Sequence, residues 1–201
     1  MMRNRTTAAD PGAPTDPTTP QMRVVIVTLD NHLAGAVASA EAELRRTVPG
    51  LTVALHAASE WGSDPVALDA CLNDIATGDI IIASMLFVDD HVRMVLPALK
   101  ARNEACDAMV CMMSAAEVVK LTRMGPYKMD GSTKGPLAML KKLRGNTKAT
   151  GGVPGEKQMA MLRRLPKILA FVPGTAQDVR AYFLTLQYWF AGSTENMVSM
   201  A

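Results

Sequence analysis

Aromatic side chains are scarce, at 4% of the 201 residues, and cysteines number only three. Cys71, Cys106 and Cys111 form no Cys-x-x-Cys pair, which argues against a disulfide framework or a thiolate zinc site. Reduced thiols in a cytosol are expected instead. No apolar run approaches the ~18 residues a membrane helix needs, and the N-terminus has no apolar signal core. The expected location is therefore cytoplasmic, with no transmembrane segment. Nucleotide-handling signatures are missing too. Gly151 to Lys157 has P-loop letters, but Glu156 stands where a P-loop requires glycine, and no strand precedes it. No Gly-x-Gly-x-x-Gly follows the first strand and no Gly-x-Ser-x-Gly elbow occurs. These absences exclude ATP hydrolysis, Rossmann-type dinucleotide binding and serine-hydrolase chemistry of the usual kinds.

What is present is an ordinary globular mixture, 49% apolar and 20% charged. The net charge of +2 hides an asymmetry: Lys120 to Lys167 holds twelve Lys or Arg against Asp130 and Glu156. Such a block is either a solvated face or a contact surface for something anionic. Only Tyr127 interleaves with those cations, so no nucleic acid partner is expected.

Residues 1–21 carry Pro11, Pro14, Pro17 and Pro20 among Thr, Ala and Asp, the composition of a disordered tail. Beyond it, four β-branched runs begin at Arg23, Leu51, Asp79 and Asp107, 28 residues apart each time. Val24-Val25-Ile26-Val27 and Ile80-Ile81-Ile82 lack alternation, as strands covered on both faces do. Between them, Leu33, Val37, Ala40, Leu44 and Val48 form a helical stripe that Pro49-Gly50 ends. Asp64-Pro65 opens a second helix that Gly78 closes, a third spans 89–103, and a fourth is expected over 114–123. The series predicts an α/β fold, a parallel doubly wound (flavodoxin- or Rossmann-like) sheet of about five strands.

The 22–191 domain is expected to contain a mobile basic insertion over 124–155, with short helices over 137–144 and 156–165. A fifth strand is expected over Lys167–Val172, and Thr175 with Asp178 opens a long C-terminal helix. A further helix starts at Ser193, so 192–201 reads as the beginning of a missing remainder.

In such a sheet ligands bind beyond the carboxyl ends of the strands. Asp30 and His32 follow the first strand, Asp89, Asp90 and His91 the third, and Ser114 the fourth; these six are the ligand-binding candidates. The other reading is that the Asp residues cap helices and the histidines hydrogen-bond locally. No catalytic residue and no resident metal site is assigned. Lys134, Lys141, Lys142 and Arg144 are the candidate partner-binding cations. Met112, Met113 and Met124 are candidates to line an apolar ligand surface, core filling being the commoner role.

Two resemblances meet here. Asp30-Asn31-His32-Leu33-Ala34-Gly35 resembles the Asp-x-His-x-x-Gly motif of cobalamin-binding domains, and Ser84-Met85-Leu86 their later Ser-x-Leu. That likeness implies an axial histidine oriented by an aspartate, although Ser114-Ala115-Ala116 stands where that family has Gly-Gly. The broader one covers some 180 residues, through RVVIVTLDNHLAGAV, ASMLFVDDHVRMVLPAL, CDAMVCMMSAAEVVKLTRMG and FVPGTAQDVRAYFLTLQYWFAGSTENM. These resemble the N-terminal domain of the large, porphyrin-binding H subunit of magnesium chelatase, with cobalt chelatase large subunits related. The resemblance implies a part in inserting Mg2+ into protoporphyrin IX on the way to (bacterio)chlorophyll. The implied partners are the remainder of the H subunit, two AAA-type ATPase subunits and protoporphyrin IX. Mg2+ and ATP would be used by the whole complex; this domain alone would bind no cofactor and would not chelate. The alternative is a stand-alone cobalamin- or tetrapyrrole-binding module or sensor.

Overall fold

The computed structural model describes residues 21–129 and 175–200. The apolar runs form β1 (Met22–Thr28), β2 (Leu51–Ala57), β3 (Ile80–Ser84) and β4 (Ala108–Met112). All three pairings among them are parallel. The helices are α1 (Ala34–Leu44), α2 (Pro65–Thr77), α3 (Asp89–Asn103), α4 (Ala116–Val119), α5 (Thr175–Ala191) and α6 (Thr194–Met200). Asp64 caps α2 by accepting the Val66 amide at 2.9 Å, and Pro65 fills the first helical position.

Sheet order is β2-β1-β3-β4-β5-β6. The last two strands, Arg123–Met124 and Tyr127–Lys128, run antiparallel and differ from a purely parallel sheet. Gly125 at φ +53° and Pro126 make the two-residue turn between them, with glycine at the first central position as such a hairpin requires. This hairpin takes up the start of the 124–155 stretch. The expected strand at 167–172 and the helices at 137–144 and 156–165 lie outside the described residues, as do residues 1–20 of the expected 1–21 tail.

The fourth helix is a correction: only Ala116–Val119 is helical, not 114–123. Ser114 and Thr122 spend their hydroxyls on other backbone. Thr122 Oγ1 accepts from Cys111 N at 3.1 Å and donates to Cys111 O at 3.0 Å. Arg123 already belongs to β5. The first helix also stops at Leu44, before Val48.

Strand pleating divides the core in two. Val25, Val27, Ile81, Ala83, Met109 and Cys111 pack with α2 and α3. Val24, Ile26, Ile82, Val110 and Met112 face α1, α5 and α6 through Val37, Val179, Trp189 and Met197. Among the described residues α1 is the one crossover helix on its face, and residues from the far end of the chain complete the cover. Every strand of the parallel four is thereby sandwiched, which explains its continuous apolar runs.

Candidate functional site at the carboxyl edge

The crossovers leave β1 for opposite faces from β3, so the β1–β3 boundary is the topological switch point. Val27 pairs with Ala83, so Thr28 and Ser84 follow side by side at the two strand tips. Both are fully buried, and neither hydroxyl has a hydrogen-bond partner.

Above Thr28, Asp30 turns back on His32. Its Oδ1 accepts the His32 backbone N–H at 3.1 Å and also meets His32 Nδ1. These two bonds, the side-chain one first, hold the Asp30 carboxyl below the ordinary carboxylate range. A proton on Nδ1 leaves Nε2 with its lone pair outward, on a side chain 55% exposed. Asn31 Nδ2 donates to Glu60 Oε1 at 2.8 Å, and Ser59 N donates to Leu29 O at 2.8 Å, tying this loop to the one after β2.

Ser114 joins the next two loops. Its hydroxyl accepts from Leu86 N at 3.1 Å and donates to Met112 O at 3.0 Å, while Ala115 N donates to Leu86 O at 2.8 Å. The linked loops expose Phe87, Val88 and Met113. Met85 and Met113, directly after β3 and β4, both hold left-handed backbone, at φ 60° and 47°. Unbranched methionine tolerates this region poorly, and such outliers cluster at functional sites.

The six candidates do not converge. Asp30 and His32 form one unit. Ser114 is a structural tie. Asp89 and Asp90 are exposed in the first turn of α3, Asp90 3.8 Å from Arg93. His91 turns to the other face, edge-on to Trp61 with ring centroids 5.8 Å apart. Its Nδ1 and Trp61 Nε1 are buried without partners. Among the described residues no three His, Cys, Asp or Glu side chains gather as a metal site. Lys134, Lys141, Lys142 and Arg144 lie outside the described residues. Sequence reasoning missed the network between α2 and the first two strands, where Asp74 accepts from His56 Nε2 at 2.8 Å and Arg23 Nη1 at 3.2 Å. It also missed Trp61, for which a lone buried aromatic after β2 was the one signal.

Fold and edge together define a doubly wound α/β domain with its topological switch point between β1 and β3. The chain belongs to the family described as domain of unknown function (DUF3479), whose model matches residues 23–183. It is 49% identical over 182 residues to the magnesium-chelatase H subunit of Cereibacter sphaeroides, across 90% of this chain and 15% of that protein. The corresponding protein of Rhodobacter capsulatus is 45% identical over 177 residues, across 88% of this chain and 15% of that protein. The chloroplastic magnesium-chelatase ChlH subunit of Oryza sativa subsp. japonica is 30% identical over 184 residues, across 89% and 13%. The chain is thus a homologue of magnesium-chelatase H subunits, and it spans about 15% of the length of the bacterial relatives it matches. No helix among the described residues is long and apolar enough to cross a membrane.

Proposed function

We propose that the chain serves as the N-terminal domain of the porphyrin-binding component of a magnesium chelatase, a cytoplasmic participant in (bacterio)chlorophyll synthesis. The carrying observation is the 49% identity to a magnesium-chelatase H subunit over nine-tenths of the chain. The full enzyme inserts Mg2+ into protoporphyrin IX with ATP hydrolysed by separate AAA-type subunits, which agrees with the lack of a P-loop here. The domain itself contributes no catalytic group. It supplies a rigid α/β body whose carboxyl edge contacts tetrapyrrole, and a cationic stretch that contacts acidic protein.

The test is a chimera. This chain replaces the matching 182-residue stretch of the Cereibacter sphaeroides protein, and Mg-protoporphyrin formation is followed with the ATPase subunits present. Activity near that of the parent protein is expected. A folded chimera that binds its partners but forms no product would overturn the reading. This chain alone, given protoporphyrin, Mg2+ and ATP, should form none.

For the cationic stretch, exposed pairs contribute only about 0–1 kcal/mol each, so steering outweighs tight binding. Replacing Lys141, Lys142 and Arg144 by Glu should slow association with the chelatase partners, most strongly at low salt. Rates indifferent to both charge and salt would reduce the stretch to a solvated face.

A further inference from the structure

The two edges of the sheet differ. One ends in β6, which has only Tyr127 and Lys128. A strand so short, finished by a lysine, gives an incoming strand little to pair with. The other ends in β2, which runs for seven residues and has one strand neighbour among the described residues. Its sequence, Leu-Thr-Val-Ala-Leu-His-Ala, contains no Lys, Arg, Asp or Glu, no proline and no glycine. An uncharged, proline-free apolar strand at an edge is a template for further strands. The strand itself carries no protection.

The parallel ladder fixes which backbone groups face outward. Met22 N donates to Gly50 O at 3.1 Å, so Thr52, Ala54 and His56 spend their amides and carbonyls on β1. Leu51, Val53 and Leu55 turn theirs away from the sheet. Two side chains of α1 meet them there. Glu41 Oε1 accepts the Val53 N–H at 3.2 Å, and Arg45 Nε donates to Leu51 O at 2.9 Å. Arg45 Nε also lies 3.5 Å from Glu41 Oε1, one turn along the helix, so the pair is held together as well as to the strand. Leu55, the next residue on that side, has no such partner among the described residues.

The partner such an edge would take is a second copy of itself. Two β2 strands set antiparallel about a two-fold axis at Val53 would pair Val53 N–H with Val53 C=O in both directions. They would pair Leu55 N–H with Leu51 C=O in both directions as well. Every one of those bonds needs either the Val53 N–H or the Leu51 C=O. Those are the groups that Glu41 and Arg45 occupy.

We propose that Glu41 and Arg45 guard the long edge of the sheet, and that they keep β2 from pairing with β2 of a second copy of the chain. The buried Val37 and Ala40 anchor α1 on the sheet, so the helix stays in place without the polar pair. Nothing in this device depends on a chelatase activity.

The experiment is size-exclusion chromatography with light scattering on the 201-residue chain and its Glu41→Ala/Arg45→Ala variant, over about 10 µM to 1 mM. The parent should keep one mass throughout, and the mass of the variant should rise with concentration toward that of a dimer. Adding Leu55→Pro removes an outward N–H that β1 does not use, and should return the variant to the parent mass. Amide exchange by NMR reads the guard in the unaltered chain: the Val53 N–H should exchange more slowly than the Leu55 N–H on the same side. Three results would each overturn the proposal. One is a folded double variant with the parent's mass at every concentration. The others are association that Leu55→Pro leaves unchanged, and equal exchange of the two amides.

Discussion

Gly78 lies so close to β1 that a methyl group on its Cα would sit 2.8 Å from Val25 Cγ2. The Asp74 carbonyl and Ile81 Cγ1 would be 3.3 Å away on the other sides. Its backbone is extended, at φ −65° and ψ 136°, so the glycine is present for contact and not for a left-handed turn. Gly78→Ala should destabilise the domain by about 1–3 kcal/mol, the usual loss for overpacking. Urea melts measure it, and an unchanged midpoint would mean that α2 can shift outward freely.

Ile81 is fully buried between the sheet and the α2–α3 layer. Ile81→Ala removes enough carbon to destabilise by about 2–5 kcal/mol. A loss under about 1 kcal/mol in the same melts would contradict the central position of β3.

All three cysteines are buried, and desolvation pushes the thiols of Cys71 and Cys111 up to about 12. Thiolate is the reactive form, so a thiol reagent at pH 8 should leave the native chain unmodified. In urea all three should react within minutes. Fast labelling of the native chain would reveal local opening of the α2–α3 face.

Asp30 and Asp178 titrate in opposite directions. The bonds from His32 lower Asp30, so its contribution to stability is present above the ordinary carboxylate range and is lost as pH falls through the lowered value. Burial raises Asp178 beside Gly125, so its contribution is largest when protonated and fades as pH rises through the raised value. Carboxyl-carbon NMR should place the Asp30 midpoint below 3.8 and that of Asp178 above it. His32→Ala should bring Asp30 back toward its ordinary value.

The parallel strands were legible because double-sided burial leaves uninterrupted β-branched runs, and the 28-residue spacing of their starts sets the strand–helix unit. The bounds of α2 and α3 were legible too, α2 from the Asp64-Pro65 cap and Gly78. Two-residue strands such as Arg123–Met124 are too short to show a period, so the hairpin went unread. The fourth helix was overextended because the hydroxyls of Ser114 and Thr122 act on backbone that no local pattern reveals. At the site, the Asp30–His32 contact spans two residues and could be read directly. The His91–Trp61 contact spans thirty residues, and no local pattern shows it.

The dependence of one sheet face on α5 and α6 has a consequence for biosynthesis. At about 5–20 residues per second, on the order of ten seconds separates the emergence of β4 from that of α5. During that interval Val24, Ile26, Ile82, Val110 and Met112 have only α1 to shelter them among the described elements. Among the described elements, that face of the nascent sheet therefore stays half-covered until α5 arrives. The opposite layer, built from α2 and α3, can already be closed.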